Sequence, residues 1–300
     1  MVDFSALKRS SNFENLSSAL KSLNTPVKYN EDEDKYWKPE LDKSGNAFAI
    51  IRFLPAPAVD GDSALPFISY FDHGFKGPGG WYIEKSLTTL NLPDPVSECN
   101  RELWNSGVPS NIEQARLQKR RLHYVSNIYV IKDSKHPENE GKIFLFSYGK
   151  KIMEKIDSCI HPQFEDETKF DPFNFWTGAN FKLKVRKVDG YQNYDLSEFE
   201  APNPLLDDDE KIKEIWENEY SLKSIISPEK FKSYEELKSR LNTVLGISLK
   251  PSESFTAQTV TKSNIKKEEK VYDVPSGDDD DSENLDFFAN LVNDDDEVPF

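Results

Sequence analysis

Phe181-Lys182-Leu183-Lys184-Val185-Arg186 decides how this chain is read, because apolar and cationic side chains alternate through it without a break. A strand sends successive side chains to opposite faces. Phe181, Leu183 and Val185 therefore turn inward, and Lys182, Lys184 and Arg186 share one outer face. Cations roughly 6–7 Å apart along a strand match the phosphates of an extended polynucleotide. Tyr191 and Tyr194 follow directly, and rings beside such a row can stack on unpaired bases for roughly 1–3 kcal/mol each, whatever the sequence.

Outward from this strand the chain keeps the same character. Upstream, Tyr124–Ile131 and Lys142–Tyr148 are β-rich runs, with helical spacing over Lys150–Ile160. Phe67–Phe71 and Trp81–Glu84 flank Gly77-Pro78-Gly79-Gly80 as a hairpin, and Trp37–Leu41 and Ala47–Leu54 flank Lys43-Ser44-Gly45-Asn46 as another. Residues 97–121 read as helix interrupted near Gly107-Val108-Pro109, and 209–219 and 228–244 as two later helices, the second starting at Ser227-Pro228. Short strands with inserted helices predict an α+β, β-rich small barrel with elaborations, not a βαβ sheet.

A second basic stretch precedes the strand. Residues 116–155 hold ten Lys/Arg against four acids, and Lys119-Arg120-Arg121 runs into His123 and Tyr124. The C-terminus has the opposite character: residues 271–300 carry nine Asp, two Glu and no Lys or Arg, which is −11 of the chain's −15. Such a segment cannot bury enough apolar surface to fold and is expected to be a disordered tail able to occupy a cationic groove. Its end, Asp294-Asp295-Asp296-Glu297-Val298-Pro299-Phe300, offers an apolar tip to a partner's pocket. At the other end, Phe4, Leu7, Phe13, Leu16, Leu20 and Leu23 predict a short amphipathic helix around the basic cluster Lys8-Arg9-Ser10-Ser11.

The 300 residues, 37% hydrophobic, are enough for a sizeable core in one or two domains. Cys99 and Cys159 are too few for a disulfide framework and predict a reducing, intracellular setting. No apolar run reaches the roughly 18 residues of a membrane span, and no signal peptide is expected. Catalytic motifs are lacking: the glycines at 77–80 have no following Lys-Ser/Thr, and no G-x-S-x-G occurs. Asp207-Asp208-Asp209-Glu210 would suit a metal-dependent nuclease, but acids before a helix favour its N-terminal dipole. The chain is therefore expected not to be an enzyme. The alternatives from other classes are an acidic DNA mimic, which leaves the basic patches without a role, and an RNA-binding translational regulator.

Blocks from Leu41-Asp42-Lys43-Ser44-Gly45-Asn46 and Ile51-Arg52-Phe53-Leu54-Pro55, through His73-Gly74-Phe75-Lys76, Trp81-Tyr82-Ile83-Glu84 and Lys119-Arg120-Arg121, extend to Gly149-Lys150-Lys151-Ile152 and Trp176–Val185. Phe231-Lys232-Ser233-Tyr234-Glu235-Glu236-Leu237 closes the series. In this order they resemble the single-stranded DNA-binding proteins of T-even-type bacteriophages over about residues 35–245. The resemblance implies an oligonucleotide-binding (OB) barrel core over 25–245 with an inserted helical subdomain at about 72–122. It also implies a flexible segment, 1–24, in which Lys8, Arg9, Ser10 and Ser11 serve cooperative self-association. Residues 246–300 would be linker and partner-binding tail, with Asp294, Asp295, Asp296, Val298, Pro299 and Phe300 engaging replication, recombination and repair proteins. Lys119, Arg120, Arg121, Tyr124, Phe146, Lys182, Lys184, Arg186, Tyr191 and Tyr194 would line the DNA cleft. The setting would be the cytoplasm of the infected bacterial host.

Two departures stand out. Leu122-His123 replaces the hydroxyl pair that follows the family's core basic stretch. The family's zinc ligands, one His and three Cys, correspond here to His73, Ser86, Asp94 and Ser97, so no metal or other cofactor is expected. Packing around Leu87, Leu90, Leu92, Val96, Leu103 and Trp104 would take the metal's place.

Overall fold

The computed structural model describes residues 33–188 and 190–247. Lys8, Arg9, Ser10, Ser11 and the acidic tail with Asp294, Asp295, Asp296, Val298, Pro299 and Phe300 lie outside the described residues. The chain divides after Lys38. The described part of the first unit holds one 3-10 turn, Glu33–Lys35, and the described strands and α-helices belong to the second.

Among the described residues eight strands build one sheet: β1 Ala47–Phe53, β2 Ile68–Gly77, β3 Gly80–Lys85, β4 Arg121–Asp133, β5 Ile143–Tyr148, β6 Phe181–Val188, β7 Tyr191–Asn193 and β8 Glu198–Phe199. Every pairing is antiparallel, in the order β3-β2-β4-β1-β6-β7, with β5 also on β4 and β8 on β6. Among the described residues five α-helices decorate it: α1 Pro95–Asn105, α2 Pro109–Leu117, α3 Lys150–Ile160, α4 Asp209–Glu217 and α5 Tyr234–Leu245. The thirteen-residue β4 is the common member. Its first half pairs β2, its second half pairs β1, and β5 runs along it from Tyr124 to Tyr129.

Aromatic packing curls the sheet. The Phe53 ring on β1 lies 6.4 Å from Phe146 on β5, 5.6 Å from Phe181 on β6 and 6.2 Å from Phe199 on β8. Rings from four strands thus meet on one inner face. A second apolar cluster joins the β2–β3 hairpin to α1 and α5 through Phe75, Tyr82, Leu87, Val96, Leu237, Leu241 and Val244. The hairpin turns on Pro78-Gly79, and the Gly79 N–H donates to the Val244 carbonyl at 2.8 Å. A Cβ on Gly79 would lie 2.0 Å from the Thr243 carbonyl oxygen, so only glycine allows this approach. A third cluster joins Leu54 and Phe175 to Leu205, Ile212 and Ile215.

The element reading holds for β6, for the second hairpin and for the α1/α2 break, where Gly107 has φ 67° and Pro109 opens α2. Two expectations are corrected. Residues 39–41 form no strand; instead the Asp42 side chain accepts from the Ser44 and Asn46 N–H groups, and this turn leads straight into β1. The last helix begins at Tyr234, not at Pro228. Ser233 and Glu236 form a reciprocal capping box there, and only a 3-10 turn follows Ser227.

Candidate nucleic-acid interface

The β4–β5 ladder carries the inner face outward from the core. Its last pair is Tyr124 opposite Tyr148, with ring centroids 5.8 Å apart and stacked. Tyr148 is buried and touches Phe53 edge-on, whereas Tyr124 is partly exposed. Burial, with Glu154 nearby, raises the Tyr124 phenol above its ordinary pKa. Phe67 lies 6.1 Å from Tyr124, in edge contact. On β2, Phe71 is paired with Leu122 and is covered by the Arg120 guanidinium at 4.1 Å from the ring centroid. A row of rings therefore runs from a buried core to a surface edge.

Cations gather at that same edge. Tyr124 pairs with Tyr148, so the residues before β4 and after β5 emerge side by side. Lys119 and Arg120 are exposed on one side; Lys150 and Lys151, opening α3, are exposed on the other. The first turn of α3 has no acidic residue, and its N-cap, Gly149, offers no capping side chain. Helix N-termini normally attract acids, so two lysines on uncapped N–H groups make a local positive field suited to a phosphate. Arg121 alternates to the opposite face and is buried. Its Nε donates to Asp72 Oδ1 at 3.1 Å, and His123 Nε2 lies 3.0 Å from the same oxygen. Burial would raise the Asp72 carboxyl, but His123 and Arg121 more than offset this and hold it low.

The structure places the β6 cations elsewhere. Lys182 and Lys184 pair across from Ile50 and Phe48, on the face opposite the Phe53 core. Each has a carboxylate: Lys182 meets Glu200 at 3.0 Å, Lys184 meets Glu198 at 2.7 Å, and Arg186 forms a two-pronged pair with Asp195. These cations hold Glu200, Glu198 and Asp195 below the usual carboxylate range. Segment 195–200 thus matches the alternation of β6 with a row of acids. Tyr191 is exposed on β7, Tyr194 is half-buried, and Phe146 is a core ring. The residues predicted to share one interface are therefore divided between two faces. Phe67, Phe71, Lys150 and Lys151 were not among them. The lysines were visible in the basic stretch, but Phe67 and Phe71 reach the edge only through a β2–β4 pairing that spans some fifty residues.

Residues 45–245 match the family described as gp32 DNA binding protein like. The chain is also 37% identical over 291 residues to the single-stranded DNA-binding protein of Enterobacteria phage T4, covering 96% of this chain and 91% of that one. The phage T2 protein of the same name is 36% identical over the same length. A phage RB70 protein of that name matches at 32% over 117 residues, which is 39% of this chain. This chain belongs to the gp32-like family.

The family is one of DNA-binding proteins rather than enzymes. Among the described residues no helix is long and apolar enough to cross a membrane.

The positions expected to correspond to the family's zinc ligands sit together. His73 on β2 and Asp94 are almost fully buried, with Nε2 and Oδ1 3.2 Å apart. The Asp94 carboxylate also accepts from the Ser97 N–H at 2.9 Å, the Ser86 hydroxyl at 3.0 Å and the Leu87 N–H at 3.1 Å. His73 Nδ1 lies 3.0 Å from the Gln118 carbonyl oxygen, which also accepts from Asn100 Nδ2 at 2.9 Å. Burial would raise the Asp94 carboxyl, but His73 and these donors hold it far below the usual carboxylate range. His73 with two serine hydroxyls and one engaged carboxylate does not make the four-ligand Cys/His set that structural zinc takes. Among the described residues no group of three or more His, Cys, Asp or Glu is placed to hold a metal. The expectation of substitute packing is corrected: Leu87 and Val96 are core residues, but Leu92 is 51% and Trp104 49% exposed. Polar bonds, not extra apolar contacts, join these positions.

Proposed function

We propose that this chain binds single-stranded DNA without sequence preference and coats it cooperatively in phage DNA replication, recombination and repair inside the infected host cell. One observation carries the reading: the partly exposed rings Tyr124, Phe67 and Phe71 share a sheet edge with Lys119, Arg120, Lys150 and Lys151. Rings able to stack beside cations able to neutralise phosphates are what a single strand requires, and neither feature reads base edges. The names of the phage relatives support the same ligand.

The core is read as an OB-type barrel, supported by the four strands that converge on Phe53, with an inserted subdomain at about 72–122. Lys182, Lys184, Arg186, Tyr191 and Tyr194 form a second contact row, which DNA reaches by displacing the acids of 195–200. Arg121 acts by holding β4 to β2. Lys8, Arg9, Ser10 and Ser11 serve contact with a neighbouring copy, and Asp294, Asp295, Asp296, Val298, Pro299 and Phe300 serve partner proteins. The protein works without zinc.

Intrinsic-fluorescence titration with long oligo-dT and a matched duplex, at several salt concentrations, tests this. The expected result is a strong, salt-sensitive preference for the single strand. Failure to bind oligo-dT even at low salt would sink the proposal and favour an acidic mimic.

A further inference from the structure

We propose that the Asp94 carboxylate does here what a structural metal does in the relatives' ligand set: it cross-links β2, the end of β3 and the start of α1, and through His73 it sets the position of the basic run at Lys119–Arg120. Four separate groups converge on this one side chain. Ser86 lies just after β3 and Ser97 in the first turn of α1, while His73 belongs to β2 and Leu87 opens the following 3-10 turn. Asp94 is itself the N-cap of α1, so one carboxylate both caps a helix and fixes three neighbouring elements. Charge-assisted bonds are the strong class, and in a dry site each depends on the others.

The far side of the network leads to the interface. His73 Nδ1 lies 3.0 Å from the Gln118 carbonyl oxygen, and Asn100 on α1 donates to the same oxygen. Gln118 is buried and immediately precedes Lys119 and Arg120. Its anchoring fixes where the chain leaves α2, and therefore where the Arg120 guanidinium meets Phe71, two residues before His73 on β2. Asp94 is a positioning residue: it touches no DNA, but determines where two cations stand. This part of the inference rests on the single-strand reading above, whereas the metal replacement does not.

The test uses the full chain. Atomic absorption after purification without chelator, and melting curves with added zinc or EDTA, are expected to show no stoichiometric metal and no shift. Asp94→Ala is expected to lower the melting temperature by roughly 5–15 °C, because it leaves the Ser86 hydroxyl and the Leu87 and Ser97 N–H groups without their acceptor. One zinc per chain, an EDTA-induced loss of stability, or an Asp94→Ala variant that melts like the parent would each overturn the replacement. Asp94→Asn, which keeps the shape, is then titrated with oligo-dT at a temperature where circular dichroism shows it folded. The slope of log affinity against log salt is expected to fall by about one to two, the loss of one or two phosphate contacts. An unchanged slope overturns the positioning role. If the parent itself binds no oligo-dT, the single-strand reading fails while the melting data still decide the replacement.

Discussion

Glu219 is buried, both its carboxylate oxygens lack a hydrogen-bond partner among the described residues, and burial pushes its pKa up to about 9. A carboxyl whose pKa is raised on folding contributes most below its unfolded value, near 4.5, and its contribution is lost as pH rises towards 9. Glu219→Gln should therefore stabilise the chain by about 1–3 kcal/mol at pH 8 and change little at pH 4, as denaturant titrations at both values would show. At the interface, Tyr124→Ala should weaken oligo-dT binding by roughly 1–3 kcal/mol, and Tyr124→Phe by much less, because the ring stacks and the hydroxyl does not. Equal losses in equilibrium titrations of the two variants would show that the ring is not a stacking platform.

At the scale of elements, the acid row opposite β6 has a predictable consequence. Glu198→Gln with Glu200→Gln leaves Lys182 and Lys184 without their partners. Exposed pairs contribute little to stability, so melting should hardly change. Oligo-dT affinity should rise at low salt and converge with the parent at high salt. Unchanged affinity at low salt would remove β6 from the interface. Gly79→Ala should destabilise by roughly 1–3 kcal/mol, since its Cβ would press on the α5 backbone. What was legible at this scale follows from period. Phe181–Val188 alternates strictly and is β6; Gly107 and Pro109 punctuate α1 and α2. Partners distant in sequence were not legible. Nothing in Lys182-Leu183-Lys184 announces that Glu198 and Glu200 return to meet it, or that Tyr124 and Lys182 face opposite ways, because both follow from register alone. The His73–Asp94 contact was hidden for a related reason: the sequence shows which ligands were replaced, but not that one replacement bonds the others.

For the whole chain, the balance of charge matters more than its sum. Residues 271–300 account for −11 of −15, so removing everything after residue 270 should strengthen oligo-dT binding, most at low salt, if the tail competes for the cations. Titrating both lengths side by side checks this, and identical affinities would rule out competition. The α5 contacts, finally, bear on how the protein is made. The apolar cluster beneath the β2–β3 hairpin is completed by Leu237, Leu241 and Val244, and the hairpin turn is bonded to the Val244 carbonyl. At ribosomal speeds of roughly 5–20 residues per second, the hairpin emerges on the order of 10–30 s before the helix that covers it. Phe75 and Tyr82 stay without their α5 cover through that interval, so nascent chains stalled before residue 234 should be protease-sensitive and bound by holdase chaperones, whereas chains from which residue 247 has emerged should be released from them.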